Sequence, residues 1–203
     1  MISLSPVPAR PCLADFARLS PPPAFDGLAF QSCKGATRKD LLENQAHQCA
    51  YCEKPLKNDG NSTHLDHLVS QDAAPSRRFD ITNLVACCQP PETCGHNHGS
   101  HSIPDDINPY LVSNLHTAMY CQSDGELYPE SLTSDAWEFA NLRLNLNAPG
   151  LKTLRAEIIR KLRQETIALG TNARRRVASL SKPSVGFISL HAQELGRFGF
   201  KVP

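Results

Sequence analysis

The sequence predicts an α+β fold that is organised around a metal site. Cysteine and histidine concentrate between residues 49 and 98, in a segment without helical period that is rich in Asn, Asp, Ser and Pro. Such a segment cannot build a hydrophobic core alone, so bound metal would have to hold it in shape. Helical period returns in the last third of the chain, whereas prolines interrupt the first 35 residues.

Composition and charge are those of an ordinary soluble protein. The 203 residues carry a formal net charge of +1, so nucleic-acid binding would need a local basic patch. There is no long apolar run and no basic-then-apolar leader, which predicts a cytoplasmic protein without a membrane partner. Eight cysteines are unusual where thiols stay reduced, unless some of them bind metal.

Three regions are predicted along the chain. Residues 1–35 form an extended arm, residues 36–105 a zinc-stabilised core, and residues 106–203 a mainly helical region with a basic segment. Clustered prolines exclude a continuous helix from the arm. Its spaced apolar residues favour docking on the core or on a partner, with a disordered tail as the alternative.

Helices are predicted on both sides of the metal segment. Thr37 and Asp40 resemble a capping box and predict a helix from Thr37 to Gln48. Apolar residues at helical spacing predict a second helix over Ala136–Leu146. A third would open at Pro149 and stop near Gly170.

The cysteine spacing predicts a zinc site. Cys49 and Cys52 form a C-x-x-C knuckle, and Cys87, Cys88 and Cys94 could supply the other half of a tetrahedron. Adjacent side chains point in different directions, so only one of Cys87 and Cys88 would bind. Buried thiols or a redox pair are the alternative. The remaining cysteines are predicted to bind no metal: Cys12, Cys33 and Cys121.

Short polar motifs lie between and after these cysteines: Leu65-Asp66-His67, Ile81-Thr82-Asn83-Leu84 and Gly95-His96-Asn97-His98. Their order resembles an HNH endonuclease with a ββα-metal core. Residues 49–53 (CAYCE) and the Asp66-His67 pair are similar to signatures of the PtuB-like subfamily, the nuclease subunit of Septu-type and retron-associated antiphage defence systems. The resemblance covers roughly residues 35–165. It favours Cys88 as the third zinc ligand, because Asn83 precedes it by five residues as in zinc-containing HNH proteins.

The resemblance and the chemistry together imply a role for each motif residue. His67 would be the general base, and Asp66 would bind a catalytic Mg²⁺ or Mn²⁺. Asn83 would either fix the loop that orients His67 or offer its amide oxygen to the cation. His98 would ligate the cation or contact the scissile phosphate, with His96 as the alternative. Many HNH proteins carry His or Asn at the position of Gly95, so this residue departs from the pattern.

The activity implied is metal-dependent hydrolysis of nucleic-acid phosphodiester bonds, with structural Zn²⁺. DNA is favoured as the substrate and RNA is possible. The subfamily also implies an ABC or SMC-like ATPase partner of the PtuA-like type.

Basic residues suggest where nucleic acid could bind. Arg77 and Arg78 lie between the catalytic motifs and could reach phosphates, with a solvated loop as the alternative. A second set could form a phosphate track or a solvated helix face: Lys152, Arg155, Arg160, Lys161, Arg163 and Arg174 to Arg176.

Two other functions use the same residues. One is a non-catalytic zinc-ribbon module that binds nucleic acid or protein, and the other is a degenerate HNH scaffold for a partner. An Asp-His pair between the two zinc half-sites favours the nuclease, because a pure zinc module does not need it.

Overall fold

A computed structural model describes residues 1–20, 23–169 and 186–199. These form a mixed helical fold with two small antiparallel sheets, which confirms the α+β class. The helices are α1 (Pro11–Ala17), α2 (Gln31–Asn44), α3 (Cys94–His98), α4 (Ser134–Glu138), α5 (Pro149–Leu169) and α6 (Ile188–Arg197). The strands are β1 (Thr63–His67), β2 (Leu84–Cys88), β3 (Met119–Cys121) and β4 (Leu127–Pro129).

The central hairpin pairs β1 with β2 and carries the motif residues. Asp66 lies opposite Val85, and His67 lies opposite Leu84. Alternate residues of β1 are buried, whereas every residue of β2 is buried, because α2 and α3 both pack on β2. The helix α3 follows the hairpin in sequence and lies against it.

The helix before the Cys49–Cys52 knuckle differs from the prediction. It runs over Gln31–Asn44 instead of Thr37–Gln48, so Thr37 lies inside the helix, and Ala46 and His47 adopt positive φ angles of 52° and 57°. The buried side chain of Gln45 bonds both backbone groups of Ala86, at 2.8 Å to the nitrogen and 2.7 Å to the oxygen. This pairing with β2 overrides helix propensity and ends the helix early.

The arm lies on the core. Its helix α1 buries Leu13, and a disulfide joins Cys12 to Cys33 in α2, two cysteines for which the sequence predicted only that they bind no metal. Arg10 forms a bidentate ion pair with Asp40, at 2.5 and 2.7 Å. The pairing itself was not predictable, because 21 residues separate the two cysteines and only folding of the arm brings them together.

The C-terminal region matches the predicted helices in part. The predicted helix over Ala136–Leu146 is shorter: α4 is followed by a π-helical turn at Phe139–Arg143, and Asn145 has a positive φ of 47°. The long helix α5 begins at Pro149 as predicted. The expected stop at Gly170 and the basic residues 174–176 lie outside the described residues.

None of the helices in the described part of the chain is long and apolar enough to cross a membrane.

Candidate metal centre and adjoining polar site

Four buried cysteines converge on one point and could hold a metal ion: Cys49, Cys52, Cys88 and Cys94. Their Sγ atoms all lie within 4.8 Å of one another, and the Cys49–Cys94 and Cys52–Cys88 pairs are 3.8 Å apart. Thiolates bound to one tetrahedral zinc at about 2.3 Å would be about 3.8 Å apart. The arrangement therefore fits structural zinc.

Three separate segments supply these sulfurs. Cys49 and Cys52 lie on a turn that Glu53 closes with a φ of 64°, and Cys88 ends β2. Cys94 opens α3 with a φ of 57°, and its backbone N–H donates to the carbonyl of Leu144 at 2.8 Å. Residues 89–93 loop out between the last two ligands, so the long gap in the sequence does not disturb the cluster.

Cys87 is directed away from the cluster. Its Sγ lies 3.1 Å from Nε2 of His64, and burial raises the pKa of this thiol well above its ordinary value. Of the two adjacent cysteines, Cys88 is the one in the four-sulfur group.

A second polar group lies beside Gly95 and consists of Asp66, His98 and Tyr51. Nε2 of His98 is 2.8 Å from Oδ2 of Asp66, and the Tyr51 hydroxyl donates to the same oxygen at 2.6 Å. His98 is almost fully buried, and its Nδ1–H donates to the carbonyl of His101 at 2.8 Å. This bond leaves Nε2 as the nitrogen that can face a cation.

Asp66 and His98 stabilise each other's charge. Burial alone would raise the pKa of Asp66, but the hydrogen bonds from His98 and Tyr51 hold it below its ordinary value. Burial alone would lower the pKa of His98, but Asp66 raises it. Without a cation the pair is an ion pair, and a cation would have to displace the proton on Nε2.

The spacing of this pair suits a hard divalent cation. Two ligands at right angles on an octahedral ion, each at about 2.1 Å, lie about 3.0 Å apart. The 2.8 Å between Asp66 Oδ2 and His98 Nε2 is close to that value. A carboxylate oxygen and an imidazole nitrogen could therefore share one ion with little movement.

His67 lies at the end of β1 and is 7% exposed. Its Nε2 is 2.9 Å from the carbonyl oxygen of Arg78. A carbonyl only accepts, so Nε2 carries the proton and Nδ1 holds the free lone pair. Burial lowers the pKa of His67, so the imidazole is neutral near pH 7. The ring of Phe25, from the arm, packs edge-on against it with centroids 4.5 Å apart.

Asn83 ties the long loop between the strands together. Its Oδ1 accepts from the Val69 N–H at 2.7 Å, while its Nδ2 donates to the carbonyls of Val69 and Arg77 at 3.0 and 3.2 Å. The side chain is fully buried. These contacts are those of a residue that fixes the loop after His67.

His96 is exposed and lies apart from the Asp66–His98 pair. Its Nε2 contacts Oε1 of Gln89 at 2.8 Å, and its ring stacks on His64 with centroids 4.0 Å apart. Gly95 beside it is tightly enclosed. A Cβ there would lie 2.7 Å from both Cys87 Sγ and His64 Nε2 and 2.8 Å from Asp66 Cγ. A larger residue after Cys94 would therefore collide with Asp66.

The arginines predicted to contact nucleic acid differ in how exposed they are and in what they already bind. Arg77 is partly exposed and pairs with Asp80 at 3.1 Å. Arg78 donates to the Pro23 carbonyl at 3.1 Å, so it holds the arm. Arg155 is 3% exposed and bonds the carbonyls of Gly125 and Leu146, which removes it from any phosphate track.

Two contributors to this site were missed by sequence reasoning. Tyr51 lies within the CAYCE motif, but its contact with Asp66 depends on how the knuckle folds over β1. Phe25 lies in the arm, 42 residues before His67, and no local signal links them. The predicted residues Asp66 and His98 do come together, and His67 follows Asp66 as the last residue of β1.

No protein-family model matches this chain, and no curated protein matches it either.

Proposed function

We propose that this protein is a metal-dependent HNH-type endonuclease with a ββα-metal core, in which the cysteine cluster binds structural zinc. The observation that carries the proposal is the largely buried Asp66–His98 pair beside His67, the last residue of β1. The element order β1, β2, α3 is that of the ββα-metal motif. A zinc module alone would gain nothing from an Asp–His pair with a 2.8 Å separation.

Each residue has a task in phosphodiester hydrolysis. A divalent cation bound at Asp66 and His98 would stabilise charge on the phosphate and the leaving oxygen. His67 would take a proton from the attacking water through Nδ1, since its Nε2 is held by the Arg78 carbonyl. Asn83 would fix the loop that orients His67, and Arg77 would contact a neighbouring phosphate.

The proposed substrate is DNA, with RNA as the second possibility, and the proposed setting is antiphage defence in the cytoplasm with an ABC or SMC-like ATPase of the PtuA-like type. This part of the proposal rests on the motifs Cys49 to Glu53 and Asp66-His67. The access of nucleic acid to His67 would require Phe25 to move, because its ring covers the imidazole.

The nuclease proposal is tested with the purified chain, plasmid DNA, a defined RNA and Mg²⁺ or Mn²⁺. We expect His67→Ala to lower the cleavage rate by about 10²–10⁴-fold, the usual contribution of a positioned general base. The exposed His116 supplies the control, since His116→Ala removes the same side chain elsewhere. Equal cleavage by wild type and His67→Ala would show that His67 is not the base.

A non-catalytic zinc module is the second candidate, favoured by the burial of His67 and by the arm that docks over it. It predicts zinc-dependent binding of nucleic acid or protein without cleavage under any cation. Absence of cleavage from both wild type and His67→Ala would support this reading of the isolated chain.

A further inference from the structure

We propose that Tyr51 is a positioning residue that orients the Asp66 carboxylate for the catalytic cation and thereby couples cation binding to the zinc knuckle; this rests on the proposed function. The Tyr51 hydroxyl donates to Asp66 Oδ2 at 2.6 Å, and its side chain is fully buried. Tyr51 itself stands between the zinc ligands Cys49 and Cys52 in the chain.

The carboxylate needs such a partner. Rotation of an aspartate about its terminal torsion is broad, so the backbone of β1 alone does not fix the plane of the Asp66 oxygens. Tyr51 and His98 both reach Oδ2, from the knuckle and from α3 respectively. If a cation takes the Nε2 lone pair of His98, the Tyr51 hydroxyl is the donor that still holds the carboxylate.

The hydroxyl is the donor in this contact, because an ionised carboxylate oxygen only accepts hydrogen bonds. A neutral donor to a ligating oxygen fixes its direction without competing for the cation.

The knuckle determines where the hydroxyl lies. The backbone N–H of Ala50, next to Tyr51, donates to the Ala86 carbonyl of β2 at 3.2 Å, and Cys49 and Cys52 are fixed by the sulfur cluster. The Tyr51 ring therefore has little freedom while zinc is bound. Tyr51 therefore links zinc occupancy to cation affinity, alongside α3, which carries both Cys94 and His98.

If Tyr51 only packed in the core, removing its hydroxyl would not change cation binding. If it orients Asp66, removing the hydroxyl would weaken cation binding. The experiment compares Tyr51→Phe with Tyr110→Phe in the full chain. Tyr110 is a matched control, because its hydroxyl also bonds to the hairpin, at 3.0 Å from the Leu84 carbonyl, but not to Asp66. The readouts are zinc content, the thermal unfolding midpoint, and Mn²⁺ affinity from electron paramagnetic resonance without nucleic acid.

We expect Tyr51→Phe to keep one zinc per chain and to weaken Mn²⁺ binding by about 10–100-fold, as losses of residues behind a metal ligand do. Tyr110→Phe should keep the wild-type Mn²⁺ affinity. Wild-type affinity in Tyr51→Phe, equal weakening in both variants, or loss of zinc from Tyr51→Phe would each overturn the assignment.

The variant Asp66→Ala distinguishes failure of the Tyr51 proposal from failure of the proposed nuclease function. If Asp66→Ala abolishes Mn²⁺ binding while Tyr51→Phe does not change it, only the role of Tyr51 fails. If Asp66→Ala binds Mn²⁺ as the wild type does, the cation site itself fails, and both proposals fall with it.

Discussion

At the scale of single residues, the direction of a side chain separates neighbours that the sequence makes equivalent. Cys87 and Cys88 are adjacent and both buried, yet one faces His64 and the other the sulfur cluster. Strand geometry sends successive side chains to opposite faces, so only one of the two can join the cluster. The pair therefore provides its own matched control.

We expect Cys88→Ser to lose the bound zinc and Cys87→Ser to keep one zinc per chain. A serine hydroxyl is a poor zinc ligand, and zinc binding contributes to folding directly in such sites. Cys87→Ser places a hydroxyl where Nε2 of His64 is a neighbour, and it should cost at most about 1–3 kcal/mol. Elemental analysis and the unfolding midpoint check both. Zinc retained in Cys88→Ser but lost in Cys87→Ser would reverse the assignment.

Residue-level prediction succeeded where a motif is local and failed where partners meet across the fold. Asp66 and His98 come together because a hairpin and the helix after it place them face to face. Gly95 could be recognised from the sequence only as a departure from the HNH pattern. Its small size makes sense only with Cys87, His64 and Asp66 packed around it.

At the scale of elements, the arm is the feature that the sequence described least well. Proline positions excluded a long helix, but only the structure shows that the arm packs an aromatic cluster on the hairpin loop, formed by Phe16, Phe25, Phe30 and Phe79. The long helix α5 was predictable because its apolar spacing is continuous from Pro149 onward. The end of α2 was not, since the bonds of Gln45 to Ala86 decide it.

The arm should control chemical access to His67. We expect Phe25→Leu to increase the rate at which diethyl pyrocarbonate modifies His67, measured by peptide mass spectrometry against the exposed His116. Leucine keeps much of the buried surface, whereas alanine would cost about 3–5 kcal/mol and risk unfolding the arm.

Phe16→Leu is the control for this measurement, because Phe16 packs on Phe30 and Phe79 of the same cluster. It should leave the reactivity of His67 near the wild-type level. Equal acceleration in both variants would mean that general loosening of the arm, and not the Phe25 ring, exposes the imidazole.

At the scale of the whole molecule, α6 returns to the zinc knuckle. The Phe187 N–H donates to the Glu53 carbonyl at 2.7 Å, and the Ser189 N–H donates to Oε2 of Glu53 at 2.8 Å. Gly186, with a φ of 67°, lets the chain pass where a Cβ would lie 2.5 Å from Pro55. The knuckle is thus enclosed by the hairpin on one side and α6 on the other. No sequence pattern predicts this arrangement.

Because this packing buries His191 of α6, we expect the free energy of unfolding to decrease in mild acid. The ring is 5% exposed, and neither nitrogen has a hydrogen-bond partner among the described residues. Burial lowers the pKa of His191, although the Glu53 and Glu165 carboxylates oppose the shift. The unfolded chain binds a proton near pH 6.5, and the folded protein only at lower pH. Stability is therefore present above about pH 6.5 and is lost as the pH falls toward the folded value.

The free energy of unfolding should therefore change with pH, and His191→Leu should remove the contribution of His191 to that slope. For one proton this contribution is at most about 1.4 kcal/mol per pH unit. Denaturant unfolding at a series of pH values measures it, and His116→Leu, at an exposed site, should keep the wild-type slope. Part of the slope should persist in His191→Leu, because burial also lowers the pKa of His64, to about 4, and that of His67. A slope unchanged by His191→Leu would mean that α6 admits a protonated imidazole without loss, and that the closure over the knuckle is looser than its hydrogen bonds to Glu53 imply.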